Sequence, residues 1–462
     1  MERWIDLSDI PERARRLPVK VIGGGLAGVE AAYALAKEGV PVELIEMKPR
    51  RFSPAHRLVH LAELVCSNSF KSMDPLKASG LLKKELDLLG SVVLEAARKT
   101  RVPAGEALAV DRDAFAERVT RILSAHPLIK VVRKEAVAIP RTGIVVVAVG
   151  PLPSGRFERA IEHLLGDKGL YFYDAVSPVV ESESIDFSKV FRASRYEEGE
   201  GDYINCPMSR EQYLAFVQAL KGAQKVPLKP LDEPRFFQGC QPVDLIAEQG
   251  EHALAFAQMS PVGFRQFKGV SNRPFAVIQL RQDDLVGCHY AIVGFQSRLK
   301  MQEQDRVFRM IPGLENARFV RYGTFHRNTY INSPKYLTRF LGLKHCPRIF
   351  FAGQVCGVEG YLESAAMGLV AGLFAARMWK TQPIRELPKG SMIAGLLGYI
   401  TFEGHKEFKP MNANFGLLEA ENPPGRDRKA KRAWLMERSS SGLDAWMREM
   451  GIGLQEGFSS LK

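Results

Sequence analysis

No two of the chain's six cysteines, at 66, 206, 240, 288, 346 and 356, stand in a Cys-x-x-Cys pair. That spacing is what a zinc ribbon or a thioredoxin-like redox site requires, so neither is expected. Six cysteines in 462 residues are also too few for a disulfide scaffold, and reduced thiols in a cytosol are expected instead. Long apolar runs are missing: the longest near-apolar stretch, 365–376, falls far short of the roughly 18–20 residues that span a bilayer. Residues 1–17 are rich in Arg, Glu and Asp and have no apolar centre, unlike a secretory signal. No internal repeat is visible. Acidic side chains are the scarcer sign, 52 against 64 Lys+Arg, for a formal net charge of +12. Such an excess favours polyanions such as nucleic acid, an acidic membrane face or phosphate-rich small molecules; the alternative is a basic surface without a partner.

What is present is the pattern of a soluble two-domain protein. Hydrophobic residues make up 46% and charged residues 25%, enough for a substantial core. A short strand, Val19-Lys20-Val21-Ile22, runs into Gly23-Gly24-Gly25-Leu26-Ala27-Gly28 and an Ala-rich helical stretch to about Lys37; a stop at Gly39 and a second strand over 42–46 follow. Residues 113–124 read as helix, and the β-branched run 144–149 ends at Gly150-Pro151. Between about 156 and 330 the texture changes to more aromatics, several Pro breaks and short strand-like runs such as 275–281. A buried-strand signal returns at 348–353, followed by a small-residue helix from 362 to about 379. The expected fold class is α/β: a Rossmann-type FAD-binding domain of the glutathione-reductase-like kind with an inserted α+β substrate domain. Residues 18–155 and 331–422 would form the first and closing parts of the FAD-binding domain. Residues 156–330 would form the inserted substrate and RNA-binding domain, and 423–462 a basic C-terminal tail.

Gly-x-Gly-x-x-Gly alone is a weak signal, but here a strand precedes it and a helix follows. Gly23 permits the tight turn, Gly25 lets the backbone approach a pyrophosphate, and Gly28 lets helix and strand pack closely. The helix N-terminus, with Gly24, Leu26 and Ala27 around it, offers N–H groups and a positive dipole end to phosphates. Glu46, at the end of the second strand, is placed to accept ribose hydroxyls and would repel a 2′-phosphate, which favours FAD or NAD over NADP. FAD is preferred over NAD because Gly353 follows a late strand and precedes a Gly-rich loop, Gly357 to Tyr361, and a small-residue helix. Two-domain flavoproteins close their site with such an element.

Several ordered stretches carry a resemblance. They include Leu64-Val65-Cys66-Ser67-Asn68-Ser69, Phe191-Arg192-Ala193-Ser194-Arg195-Tyr196, Asn205-Cys206-Pro207-Met208, and Gly239-Cys240 after two aromatics. Others are Phe325-His326-Arg327-Asn328-Thr329, Ile331-Asn332-Ser333-Pro334, Gly357-Val358-Glu359-Gly360-Tyr361 and Pro410-Met411-Asn412-Ala413-Asn414-Phe415-Gly416. With the glycine motif, these make the chain similar over nearly its whole length to the folate- and FAD-dependent tRNA (uracil-5-)-methyltransferase family, TrmFO. The resemblance implies that reduced flavin takes a methylene group from methylenetetrahydrofolate and passes it to C5 of a uracil in tRNA, usually in the T-loop. NAD(P)H would re-reduce the flavin. Uracil C5 becomes nucleophilic only after a thiolate adds at C6, so a reactive cysteine is needed. Cys240 matches the family's nucleophile, and Cys66 the second functional cysteine near the flavin, in methylene handling or proton transfer.

By the same resemblance Tyr361 would stack near the isoalloxazine. His326, Arg327 and Asn328 could form a polar cluster for the folate pterin or its glutamate, or His326 could be structural. Arg192 and Arg195, beside Tyr196, could contact RNA backbone and a splayed base. Residues 426–432 hold five basic side chains that either grip RNA or form a solvated end. Two positions depart from the family's pattern. Cys356 stands where Thr is expected, and Ser260 where a lysine is expected in a Gly-Pro-Met-Lys-Pro-Val-like run. The second departure leaves open the same chemistry on a ribosomal RNA uridine. A small-molecule flavin oxidoreductase is the rival of a different class. No metal site and no obligate protein partner are expected.

Overall fold

The computed structural model describes residues 17–227, 241–264, 273–418 and 427–452. Val19–Ile22, an apolar β-branched strand, lies at the centre of a six-stranded sheet because its neighbours are equally apolar. Val42–Glu46 and Val145–Val147 flank it in parallel, with Ile22 opposite Ile45 on one side and Val147 on the other. Ile129–Arg133 extends the sheet beyond the former, and Cys346–Phe351 beyond the latter. A strand that arrives some 200 residues later thus completes the first domain's sheet. Near-continuous apolar runs are what a parallel sheet covered on both faces requires.

The helix Leu26–Lys37 covers one face and packs along Tyr361–Trp379. The two approach so closely that a Cβ at Gly368 would lie 2.1 Å from the carbonyl oxygen of Ala27. This is why the later helix is built from Ala and Gly. Ser69–Ser72, Arg101–Val102 and Ala107–Val110 form a small antiparallel sheet beside this body.

The inserted body has its own core around a six-stranded antiparallel sheet. Its strands run in the order Phe191–Arg192, Ile204–Met208, Ala276–Gln282, His289–Ile292, Val179–Glu181 and Phe319–Arg321. The chain enters along Leu170–Ala175 and leaves along Phe325–Tyr330, and these two strands pair antiparallel over six residues. The expected boundary at 156 therefore falls too early. Helix Gly155–Leu165 buries Phe157 and Ile161 in the first core, and Tyr330 is buried there too.

The segment read as a basic tail holds a 23-residue helix, Arg428–Met450. Asp427 caps its start and Gly451, left-handed at φ 63°, ends it. Leu443, Trp446, Met447 and Met450 are buried in the first core. The Ser439 hydroxyl donates to the buried Glu85 carboxylate, which also accepts the N–H groups of Met392 and Ile393.

Candidate functional site: a crevice between the glycine turn and Tyr361

The crevice begins where Val19–Ile22 ends. Gly23 turns the chain at φ +104°, and a Cβ there would sit 2.3 Å from the Ala148 carbonyl oxygen. Gly28 brings the helix onto that turn, since its Cβ would lie 1.7 Å from the Gly23 oxygen. Gly25 differs from both. Its backbone is ordinary extended chain, φ −76° and ψ −173°, and a Cβ there would meet nothing within 4 Å. The space over Gly25 is the crevice itself, whose void, open solvent included, is about 1080 Å³. Gly23, Gly24, Gly25, Leu26, Ala27 and Glu46 all line it. Gly25, at the N-cap, has no side chain to cap the helix, so its first N–H groups and positive dipole end face an incoming anion.

Glu46 does more than the sequence suggests. It is buried, and one carboxylate oxygen accepts the Gly24 N–H at 2.7 Å while the other accepts the Lys48 N–H at 2.9 Å. It therefore fixes the glycine turn as well as presenting an acceptor to the crevice. Lys48 in turn is buried between Glu63, at 3.0 Å, and the His60 carbonyl, at 2.7 Å. Beyond the glycine turn, the lining residues not foreseen from sequence include Lys48, His56, Glu63, Ser154, Gln354 and Ser364.

Tyr361 closes the far wall. It opens the helix Tyr361–Trp379, and its hydroxyl accepts the N–H groups of Cys66 at 2.9 Å and Ser67 at 3.1 Å. Its ring lies 5.7 Å from that of Phe70. Burial, with Cys66 beside it, raises the phenol above its ordinary pKa. Gly353 does not line the crevice; a Cβ there would come within 2.6 Å of Ala27 Cβ, so it lets the late loop close on the glycine helix.

The Cys66 segment is held from both bodies. Arg112 donates to the carbonyls of Leu64 and Cys66, at 3.1 and 3.3 Å, and pairs with Asp283 at 3.1 Å. Arg281, on the strand Ala276–Gln282, donates to Asn68 Oδ1 at 2.8 Å and Ser67 Oγ at 2.7 Å. Asn68 Nδ2 donates to the carbonyls of Val110 and Gln282. Arg112, Arg281 and Asp283 carried no motif signal; long-range contact alone reveals them.

Other expected groupings separate. His326, Arg327 and Asn328 do not form one cluster, because they lie on a strand whose side chains alternate. His326 and Asn328 are buried, while Arg327 alternates to the other side and stacks over Tyr171, 4.0 Å to the ring centre. Burial, with His56 nearby, pushes His326 down to about 4, so it stays neutral. His326 Nε2 and Asn328 Oδ1 have no hydrogen-bond partner among the described residues.

Arg195 is committed inside the protein: it donates to Gln279 at 2.8 Å and to the Val262 carbonyl at 2.5 Å, and stacks over Phe264. Arg192 is exposed, with a donation to the Tyr290 hydroxyl at 3.3 Å, and neither arginine lines the crevice. Cys240 lies outside the described residues. Cys206 and Cys356 are fully buried, and burial raises both thiols well above the ordinary range, which keeps them protonated.

A strand, glycine turn and helix facing a carboxylate on the next strand, closed by a late strand and helix, defines a two-domain protein of the Rossmann dinucleotide-binding class. A family model described as Glucose inhibited division protein A matches residues 18–383. The chain is 50% identical over 437 residues to methylenetetrahydrofolate–tRNA-(uracil-5-)-methyltransferase TrmFO of Dictyoglomus thermophilum, covering 94% of this chain and 99% of that one. The TrmFO of Syntrophomonas wolfei is 50% identical over 414 residues, 90% of this chain and 94% of its own. Among solved structures, Aquifex aeolicus GidA superimposes with a TM-score of 0.67 at 19% identity, covering 95% of this chain and 76% of that one, a likeness of fold. The chain belongs to the TrmFO family.

Proposed function

We propose that this chain is a folate- and FAD-dependent tRNA (uracil-5-)-methyltransferase of the cytoplasm that forms ribothymidine in the T-loop and oxidises NAD(P)H. The observation that carries the reading is its 50% identity over 94% of its length to a TrmFO enzyme. FAD fits the residues present. The open space over Gly25 admits a pyrophosphate against the helix N-terminus, Glu46 offers acceptors to ribose hydroxyls, and Tyr361 walls the far end where a flat ring would lie. When bound, FAD supplies the redox chemistry that turns a methylene from methylenetetrahydrofolate into a methyl group.

The chain's own residues do the rest. Tyr361 fixes the backbone at Cys66, and the junction residues Arg112 and Arg281 hold that segment in place. Cys66 then acts in methylene handling or proton transfer. Cys240 adds as thiolate to C6 of the uracil, which gives C5 enolate character; loss of the C5 proton later releases the enzyme. His326 and Asn328, neutral and with buried polar atoms that have no partner among the described residues, suit recognition of a neutral heterocycle such as a pterin.

The test is tritium release from uracil C5. Full-length protein is incubated with FAD, NADH, methylenetetrahydrofolate and unmodified tRNA or ribosomal RNA, beside Cys240→Ala. Release from tRNA that needs both folate and Cys240 is the expected result. Release from ribosomal RNA alone would move the substrate. No release, with flavin bound and NADH oxidised, would overturn the reading in favour of a small-molecule flavin oxidoreductase.

A further inference from the structure

A second groove, which shares no lining residue with the dinucleotide crevice, has a void of about 940 Å³, open solvent included. Lys77 and Ala78, at the start of the helix Ala78–Leu88, form one side. The segment 413–416 and the residues Lys431, Arg432 and Leu435 of the helix Arg428–Met450 form the others. Lys77, Lys431 and Arg432 are its charged lining, and no acidic side chain lines it. Lys77 pairs with the exposed Glu106, a contact that solvent screens, while Lys431 and Arg432 have no ion pair among the described residues. Their placement runs against the field of their own helix. A helix start is its positive end, yet the first turn here has no acidic side chain and carries Lys429, with Lys431 and Arg432 close behind. The cap, Asp427, commits its carboxylate to the N–H groups of Lys429 and Ala430. Cations so placed do not serve the helix; an anion from outside would balance them. Arg432 is also held ready, its guanidinium over the Phe415 ring at 5.0 Å from the ring centre. That stacking fixes the plane of a donor set whose geometry suits phosphate.

We propose that this groove grips the phosphate backbone of the substrate RNA outside the reacting uridine, with Lys431 and Arg432 as positioning residues; this rests on the RNA-methylating reading above. The groove is tied to the catalytic end of the crevice. The Ala413 N–H donates to Glu363 Oε1 at 2.9 Å, and Lys71 Nζ donates to the same oxygen at 2.8 Å. Glu363 stands in the first turn of the helix that Tyr361 opens. Met411 bonds the Gly357–Tyr361 loop twice, accepting the Glu359 N–H at 2.8 Å and donating to the Gly357 carbonyl at 3.0 Å. RNA held in the groove is therefore held to the frame that carries Tyr361 and, through it, Cys66. An acidic membrane face fits less well, because it would need exposed apolar side chains to enter it. The helix Arg428–Met450 instead buries Leu443, Trp446, Met447 and Met450 in the first core. Phosphate contacts of this kind set register and carry no base sequence.

The full-length holoprotein tests this with Lys431→Ala, Arg432→Ala, the two combined, and Arg432→Lys, using an unmodified tRNA transcript as the probe. Four quantities are read: Kd by fluorescence anisotropy over a range of salt, KM and kcat by tritium release, bound flavin by absorbance, and Tm. The combined variant should raise Kd and KM at least tenfold, with kcat at saturating tRNA, flavin content and Tm held. Its plot of log affinity against log salt should become shallower by about 2, one for each lost phosphate contact. Lys431→Ala, which leaves the Arg432–Phe415 stack in place, should give about half of that change in slope, and Arg432→Lys should recover part of the Arg432→Ala loss. An unchanged Kd and salt slope overturns the proposal. Weaker binding at an unchanged slope, with a lowered Tm, also overturns it and assigns the two residues to the fold. Unchanged tRNA binding, with binding to vesicles of acidic lipid lost, overturns it in favour of a membrane face. Wild-type protein that binds no tRNA would instead overturn the RNA reading itself.

Discussion

At the glycine-turn end of the crevice the polar groups that satisfy one another come from one short stretch of chain, whereas the Tyr361 end is joined from segments far apart. Glu46 is occupied by two backbone N–H groups, and Lys48 by Glu63 and a carbonyl. What stays open there is backbone: a helix N-terminus and the unfilled space over Gly25. The Tyr361 end is assembled from three distant parts of the chain, around Cys66, Arg281 and Tyr361: the Tyr361 hydroxyl accepts the Cys66 N–H, and Arg281 donates to Ser67 Oγ. The first end recognises a feature common to all dinucleotides, so a rigid, self-satisfied frame suffices. The second takes its shape from contacts between segments more than 200 positions apart.

The contrast can be broken most severely at Gly28. Gly28→Ala places a methyl against the Gly23 carbonyl, and we expect a loss of about 3 kcal/mol or more with failure to retain FAD, read by thermal melting and flavin content. Gly25→Val should separate binding from folding. The extended backbone accepts valine, so the flavin-free Tm should hold, while FAD affinity measured by fluorescence quenching falls about 100-fold. Retained affinity would show that no phosphate approaches Gly25.

At the other end, Tyr361→Phe strips the acceptor from the Cys66 and Ser67 N–H groups, at an expected cost of about 2 kcal/mol by denaturant titration, with FAD still bound. The smallest effect is at Glu30, on the glycine helix but facing away from the crevice toward Ser91 and Val93. Burial raises its carboxyl from 4.5 to about 7. The folded state thus keeps a proton that the unfolded state releases near 4.5, so stability falls as pH rises from about 5 to about 7.5. Glu30→Gln should flatten that slope by about 1–2 kcal/mol, read as Tm against pH.

How much of this was legible depended on how local the signal was. The glycine turn, its helix and the second strand could be read because turn, cap and alternation are encoded within a few residues. The late strand was visible as an apolar run over 348–353, but its place beside Val145–Val147 came only from the structure. Arg112 and Asp283 were invisible, since 171 positions separate them and each alone reads as a surface charge. The triad at 326–328 was misgrouped for a different reason: strand alternation was available in the sequence, but polarity was read as proximity. In the last helix a cluster of charges hid the spaced Leu443, Trp446, Met447 and Met450 that dock it.

The chain passes into and out of the inserted body along one antiparallel ribbon, Leu170–Ala175 against Phe325–Tyr330. Entry and exit therefore lie only about 5 Å apart, the spacing of paired strands. To the parent fold the whole insertion is topologically a hairpin turn: a short two-residue reverse turn would join the same two strands in the same register. The scaffold that binds the dinucleotide could thus acquire, exchange or enlarge its substrate module without changing the order of its own sheet, and the entropy of closing so small a gap does not grow with the size of what is carried.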